Sequence, residues 1–588
     1  MAQKVNFLRL FICIFGLFIL HRIFSWQYLA PEFYRNVPRS IIVGALSDIW
    51  VAWILALLLN FFERFVRHSQ NVLMIFLIFG LACHQAYVSF FKSQILPYHF
   101  IYIFEREFVT AQMGSLLSSE IFWFVFFGSL FTYLLRFFKF RVLRTRHLLF
   151  GSFIALGLHV IQIKYKVQWF VHENLQVNVV ENIVIKYMSQ VFVEPLSVAE
   201  LDQLKAAYDI DSSTNSLNST TSKMDELTES IRSRWDSLVL EGDKPLLLFL
   251  LLEGQREIDR PLYSPELTNL GAKGILFEHL YSTGTVTRGG QEAIFCGYPG
   301  SMVNSTMRNH TEIKLDCIPK LVDQDGFWIH GGMGLFDSQR IFWEKQGIKN
   351  LISQEDFSDD IPTTPWGISD LSLMDIVVPK IQQLAKNNMK FSYGLILTIT
   401  NHVPWRLPRD APEDLKSRSK SDSNPAFTTA SYADQSVARL VSALKSANIW
   451  RKTVLIISGD HGHDSPSGVL SSREERLTRV VGLISGGMIE EGISPRVIST
   501  PVSQKDLGFF AAKLLKVNLK APLAQSPFLE RRLPVFSDLG DAIFFPDSKI
   551  TVKIKDIEKV NSRKTKEALF AAWYQNLIQE WSLGLGVR

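Results

Sequence analysis

The chain has 588 residues, with 62 Lys and Arg against 57 Asp and Glu, a formal charge of +5, and 47% hydrophobic residues. That length accommodates a membrane domain plus one large folded domain, and the 44 Phe, concentrated in the first third, match a bilayer-embedded segment better than a soluble average. The charge is modest and no basic–aromatic face gathers in the sequence, which excludes nucleic acid as the partner.

Five apolar stretches occupy the first third, at about 6–22, 40–61, 71–91, 119–138 and 147–164. Several reach the roughly 20 residues that a helix needs to cross a bilayer core. No small-residue cleavage site follows the first, so it reads as an anchor rather than a cleaved signal peptide. Arg136, Lys139, Arg141, Arg144 and Arg146 crowd the connection between the fourth and fifth, a density that marks a cytoplasmic loop. Arg64 and Arg67, and Lys4 and Arg9 at the N-terminus, agree with that side, whereas Arg22, Arg35 and Arg39 in the first outer connection do not. Five spans leave the N-terminus inside and everything after residue 165 outside. Asp48 interrupts the second stretch; at that depth it is a functional group or the partner of a neighbouring helix. The segment 98–104 has the aromatic enrichment of a membrane–water interface.

Residues 166–240 read as a helical and flexible connector. The Ser/Thr/Asn-rich run 211–222 cannot bury a core. Met224, Leu227, Ile231, Trp235 and Leu238 then recur at three- and four-residue steps, which predicts an amphipathic helix that docks on the next domain.

From residue 241 apolar runs end abruptly in chemistry-bearing residues. The run 246–252 stops at Glu253 and Gly254, a core strand with an acid at its tip. The Gly- and Thr-rich segment 282–293 leads into a helix and offers backbone N–H groups and a hydroxyl, Thr287, to an anion. The β-branched run 453–457 is followed by Ser458-Gly459-Asp460-His461-Gly462, which sets a carboxylate beside an imidazole at a strand tip. Together those ligands suit a catalytic divalent metal such as Zn²⁺ or Mn²⁺. Strands such as 391–399 and 453–457 alternate with helices such as 431–449, so residues 241–588 are expected to form an α/β domain with a largely parallel central sheet.

Glu253, Thr287, Asp460 and His461, in these settings and this order, resemble the alkaline phosphatase and sulfatase superfamily. Within it they are most similar to the membrane-anchored lipoteichoic acid synthase and phosphoglycerol transferase family, over roughly residues 240–545. The stretches Trp328-Ile329-His330-Gly331-Gly332 and 397–405, with His402, match two further family motifs. The resemblance implies one divalent metal held by Glu253, Thr287, Asp460 and His461, with Mn²⁺ favoured and Zn²⁺ or Mg²⁺ as alternatives. It implies Thr287 as nucleophile, His402 as proton donor or acceptor and substrate contact, and His330 as a phosphate or headgroup contact. Family members often carry Trp and Arg shortly after the first histidine; this chain has 334–340 without that Trp and with Arg340 slightly out of register, so Arg340 is a displaced headgroup candidate.

The implied reaction moves a phospholipid headgroup, glycerol phosphate from phosphatidylglycerol above all, to an extracytoplasmic glycan or polymer at the bacterial cytoplasmic membrane. A phosphoethanolamine transferase, a membrane phosphodiesterase and an inactive lipid sensor are the rival readings. The segment around Thr287 lacks the Cys/Ser-x-Pro-x-Arg pattern of true sulfatases, which disfavours sulfate-ester hydrolysis. Cys296 and Cys317 both fall in the outer domain, where an oxidising compartment allows a disulfide between them; two free thiols are the alternative.

Overall fold

Residues 7–29 and 37–62 carry few polar groups, and in the computed structural model each is one long helix, α1 (Phe7–Leu29) and α2 (Val37–Phe62). The structure describes residues 7–29, 37–62, 74–78, 81, 119–134, 151–155, 196–208 and 225–582, the last range without 300–305, 310–314, 323–325, 335, 359, 387–391, 422–423, 468, 520–523, 529–533, 541 and 558–562. The chain divides into two compact units, Met1–Val191 and Phe192–Arg588.

In the first unit α1 packs on α2 and on α3 (Ser119–Leu134) through Leu10, Ile14, Leu17, Val51, Trp53 and Ala56. Arg22 lies inside α1 rather than in a connection, and its guanidinium grips Asp48 of α2 bidentately at 2.7 and 2.9 Å, both side chains buried. The interrupting acid of the second apolar stretch is thus half of an interhelical ion pair, and Arg22 is no topology signal. Among the described residues no helix is long and apolar enough to cross a membrane. Most of the third and fifth apolar stretches, the segment 98–104 and the run 211–222 lie outside the described residues.

The second unit begins within the connector. Helix α4 (Val198–Ala207) starts in a Ser197/Glu200 capping box and buries Leu204 against α12 (Lys566–Ser582). Helix α5 (Glu226–Leu240) buries Leu227, Ile231 and Trp235 in the main core, with Asp225 capping its first turn. The three to four-residue spacing of those side chains leaves one face of α5 polar.

The centre of the second unit is an eight-stranded sheet: β1 (Leu246–Leu252), β2 (Ile275–Phe277), β3 (Phe327–His330), β4 (Asn350–Ile352), β5 (Ser392–Leu397), β6 (Thr453–Gly459), β7 (Gly482–Ser485) and β8 (Arg496–Ile498). Their spatial order is β8-β2-β7-β6-β1-β5-β3-β4. Every adjacent pair is parallel except those of β7, which runs antiparallel to both β2 and β6. β1 is flanked on both sides, and its successive residues enter two different cores: Leu247, Phe249 and Leu251 one, Leu246, Leu248, Leu250 and Leu252 the other. Burial on both faces explains why this strand reads as an unbroken apolar run instead of an alternation. Helices α6 (Pro265–Lys273), α9 (Asp370–Lys386) and α10 (Pro425–Ser446) cover the second face, while α5, α7 (Thr287–Cys296), α8 (Gln339–Lys345) and α11 (Gln504–Leu514) cover the first. This layering leaves the carboxyl ends of the parallel strands open, where such sheets gather their functional loops.

Candidate active site

β1 and β6 pair in register from Leu246↔Thr453 to Leu252↔Gly459, so the residues that follow, Glu253 and Asp460, emerge side by side at the same sheet edge. The Asp460 N–H donates to Leu252 O at 3.1 Å. Asp460 Oδ1 in turn accepts the backbone N–H groups of Gly254 (2.9 Å) and His461 (2.7 Å), while buried Oδ2 has no hydrogen-bond partner among the described residues. Gly254 takes φ +59°, which lets the chain turn sharply away from Glu253. On the other side α7 starts at Thr287, and its first turn lies against the β6 loop so closely that a Cβ on Gly290 would sit 2.8 Å from Asp460 O. Thr287 Oγ1 donates to Glu253 Oε2 at 3.3 Å.

His461 completes the group. Its Nε2 stands 3.7 Å from Glu253 Oε1 and 3.5 Å from Asp460 Oδ2, and its Nδ1 lies 2.7 Å from Gly462 O. With the Nδ1 proton given to that carbonyl, Nε2 presents its lone pair towards the carboxylates, the orientation by which a second partner fixes a ligating histidine. One ligand atom each from Glu253, Asp460 and His461 lies within 4.8 Å of the others. Burial, and then the neighbouring Asp460 charge, push the Glu253 carboxyl well above its usual pKa. Two buried carboxylates face each other with one oxygen orphaned; a cation removes both penalties, so the residues present fit a divalent metal.

His330 ends β3, buried, with Nδ1 making no hydrogen bond among the described residues, and burial pulls its pKa down to about 4. His402 follows β5, its ring 4.1 Å from that of Trp366 and its Nδ1 2.8 Å from Val403 O; burial lowers its pKa, and His461 and Asp460 both act on it. Arg340 donates to Asp356 at 2.6 Å and to Ser353 at 3.1 Å. Asp337, in the same stretch, pairs with Arg288, the residue after Thr287, and both Asp337 and Ser338 take positive φ. Cys296, the last residue of α7, is disulfide-bonded to Cys317, which ties down the far end of the helix that begins with Thr287.

Five residues to which sequence reasoning gave no role support this edge. Asp370, at the start of α9, accepts the N–H groups of Ile399 (2.8 Å) and Thr400 (3.0 Å), and so shapes the loop that carries His402. That loop reaches back, since Thr398 Oγ1 accepts the Glu253 N–H at 2.9 Å. Asn401 donates to Gly254 O at 3.1 Å and accepts from Thr429. Arg256, fully buried, donates to the carbonyls of His463, Ser465 and Pro466. His463, held far below its ordinary pKa by burial and by Arg256, lies beside His461 and His402. Only His463 had a sequence signal, two positions after His461; the others are ordinary polar residues until the fold brings them in.

Residues 234–517 match the sulfatase family. Over 218 residues the chain is 25% identical to phosphoglycerol transferase I of Salmonella arizonae, which covers 34% of this chain and 28% of that protein. Phosphoglycerol transferase I of Escherichia coli is 24% identical over 220 residues, with the same shares. The alignments thus span 28% of the length of these curated relatives. Among solved structures, the lipoteichoic acid synthase LtaP of Listeria monocytogenes aligns at a TM-score of 0.48 and 16% identity, over 66% of this chain and 99% of that one.

Proposed function

We propose that this chain, whose residues 234–517 match the sulfatase family, is a phosphotransferase that moves a phospholipid headgroup through a phosphorylated Thr287. The favoured donor is phosphatidylglycerol, the headgroup glycerol phosphate, and the acceptor an extracytoplasmic glycan or polymer. One observation carries the reading: the Thr287 hydroxyl at the start of α7 meets the carboxylate–imidazole cluster of Glu253, Asp460 and His461. The similarity to phosphoglycerol transferase I supports it.

Thr287 Oγ1 attacks the phosphorus of the diester, the P–O bond to diacylglycerol breaks, and the headgroup phosphate is left on the threonine. A divalent cation, Mn²⁺ favoured over Zn²⁺ or Mg²⁺, would be held by Glu253, Asp460, His461 and the Thr287 oxygen, lowering the pKa of the hydroxyl and drawing charge from a phosphoryl oxygen. The open start of α7 presents backbone N–H groups to the phosphate. His330 offers its unpartnered ring nitrogen to the phosphate or headgroup. His402, kept neutral by burial, takes the proton of the acceptor hydroxyl as that oxygen attacks the phosphothreonine. Arg340, paired with Asp356, is the displaced contact for the headgroup. The five apolar stretches of the first third support a multi-pass anchor in the bacterial cytoplasmic membrane, with residues 241–588 outside.

The test is diacylglycerol release by the full chain in detergent with Mn²⁺ and either phosphatidylglycerol or phosphatidylethanolamine. Release from phosphatidylglycerol that disappears in Thr287→Ala supports the proposal. Release from phosphatidylethanolamine alone makes the protein a phosphoethanolamine transferase, and free glycerol phosphate with no acceptor product makes it a phosphodiesterase. No release from either lipid, with metal bound, leaves a lipid-binding protein.

A further inference from the structure

The sequence of α7 gives its first turn little rigidity of its own. Val286, the N-cap residue, makes no side-chain cap, and Gly289 and Gly290 follow within the turn; glycine is the weakest helix former after proline. Gly290 has a reason to be there, because a Cβ would sit 2.8 Å from Asp460 O. The place of the Thr287 hydroxyl therefore depends on tethers, and the next turn carries one in Gln291.

Gln291 is fully buried. Its Oε1 accepts the indole N–H of Trp328 at 3.0 Å and that of Trp343 at 2.7 Å, and its Nε2 donates to Gln339 Oε1. An indole nitrogen can only donate, so the amide oxygen must face the two tryptophans and the amide has one orientation. The two indoles lead to different places. Trp343 belongs to α8 and packs on Phe295 towards the far end of α7, with ring centroids 5.2 Å apart. Trp328 belongs to β3, two residues before His330, and their rings lie 5.4 Å apart.

The bond between Gln291 and Trp328 is a rung one step below the site on both elements. From Gln291 back to Thr287 the helix rises about 6 Å, and from Trp328 to His330 the strand rises about 6.6 Å. Residues four apart on a helix share a face, as do residues two apart on a strand. The sheet register aligns His330 with Leu397 and Leu397 with Leu251, two residues before Glu253, so His330 belongs to the edge that Thr287 meets. We propose that Gln291 is a positioning residue: through Trp328 it holds the first turn of α7 level with His330, so that one phosphate group reaches both. The inference rests on the phosphoryl-transfer reading and adds what aligns its parts. His330 Nδ1, which makes no hydrogen bond among the described residues, is the nitrogen that the alignment serves.

The experiment is calorimetric binding of inorganic phosphate to the full chain in detergent with saturating Mn²⁺, over a double-mutant cycle of Gln291→Met and His330→Ala. Gln291→Met keeps the length of the side chain and removes its hydrogen bonds. Alone it should weaken phosphate about tenfold, and in the His330→Ala background by no more than about twofold. Trp328→Phe, which breaks the rung itself, should match Gln291→Met and takes its place in the cycle if that variant does not fold. Trp343→Phe removes a bond to the same oxygen and should lower the urea midpoint by a similar amount, yet leave phosphate affinity within about twofold. Additive losses in the cycle, equal losses of affinity from the two tryptophan variants, an unchanged affinity in Gln291→Met, or no phosphate binding by the wild type would each overturn the assignment. Failure of the phosphoryl-transfer reading registers separately, as absent diacylglycerol release while this pattern of affinities persists.

Discussion

Thr287 Oγ1 lies 3.3 Å from Glu253 Oε2, which joins the first residue of a helix to the tip of the central strand across 34 residues of sequence. The contact places the hydroxyl against the buried acid cluster instead of leaving it on a solvated turn. Replacing Thr287 by Ala is expected to lower turnover by about 10³-fold or more, the usual scale for a lost nucleophile. Thr287→Ser should keep measurable turnover. Metal affinity, read by calorimetry, should fall in Thr287→Ala, which loses one of the four proposed ligand atoms, and be largely kept in Thr287→Ser, which retains the hydroxyl.

Asp460 is expected to show opposite effects with and without metal. Its Oδ2 is buried and unpartnered beside Glu253, whose proton affinity its charge raises. Asp460→Asn removes that repulsion, so the metal-free variant should melt above the metal-free wild type. The same change should abolish the stabilisation by added metal, which for the wild type reaches about 2.7 kcal/mol at a hundredfold excess over Kd. Thermal scans with Mn²⁺ and with chelator check both halves.

Asp370 makes stability depend on pH. Burial raises its pKa from 3.8 to about 6, so between those values the folded chain holds a proton that the unfolded chain has released. Stability is therefore full below about pH 4 and falls as pH rises through about 6, by about 3 kcal/mol for this group. Asp434, also raised to about 6 by burial, adds a fall of the same sign. Asp370→Asn keeps an oxygen for the Ile399 and Thr400 N–H groups and should flatten the urea midpoint across that range without removing the part owed to Asp434.

The Cys296–Cys317 bond closes a separation of 21 residues at the end of α7. Loop-closure entropy gives such a crosslink roughly 3 kcal/mol. The double variant Cys296→Ala/Cys317→Ala should unfold at correspondingly lower denaturant, and reductant should shift the wild type towards it while leaving the variant unmoved.

Much of the second unit was legible because a doubly buried strand announces itself. β1 and β6 are unbroken apolar runs that end in Glu253 and in Asp460-His461, and their register follows from equal length and parallel pairing. The amphipathic spacing of Leu227, Ile231 and Trp235 likewise foretold α5. The antiparallel insertion of β7 was not legible, since four apolar residues carry no direction. Nor were Asp370, Asn401 and Arg256, whose roles consist of hydrogen bonds to backbone groups far away in sequence. Arg340 pairs with Asp356, sixteen residues on, and its place after His330 in the sequence carries no sign of that pairing. Asp48 could be read two ways from the sequence, and Arg22 supplies the partner.

The most direct test of the account is mass spectrometry of the peptide containing Thr287 after incubation of the full chain with Mn²⁺ and phosphatidylglycerol. The account requires a glycerophosphate adduct on Thr287 that is absent in Asp460→Asn. An unmodified Thr287 while diacylglycerol is being released would contradict it, because headgroup transfer would then bypass the hydroxyl that the fold sets against Glu253.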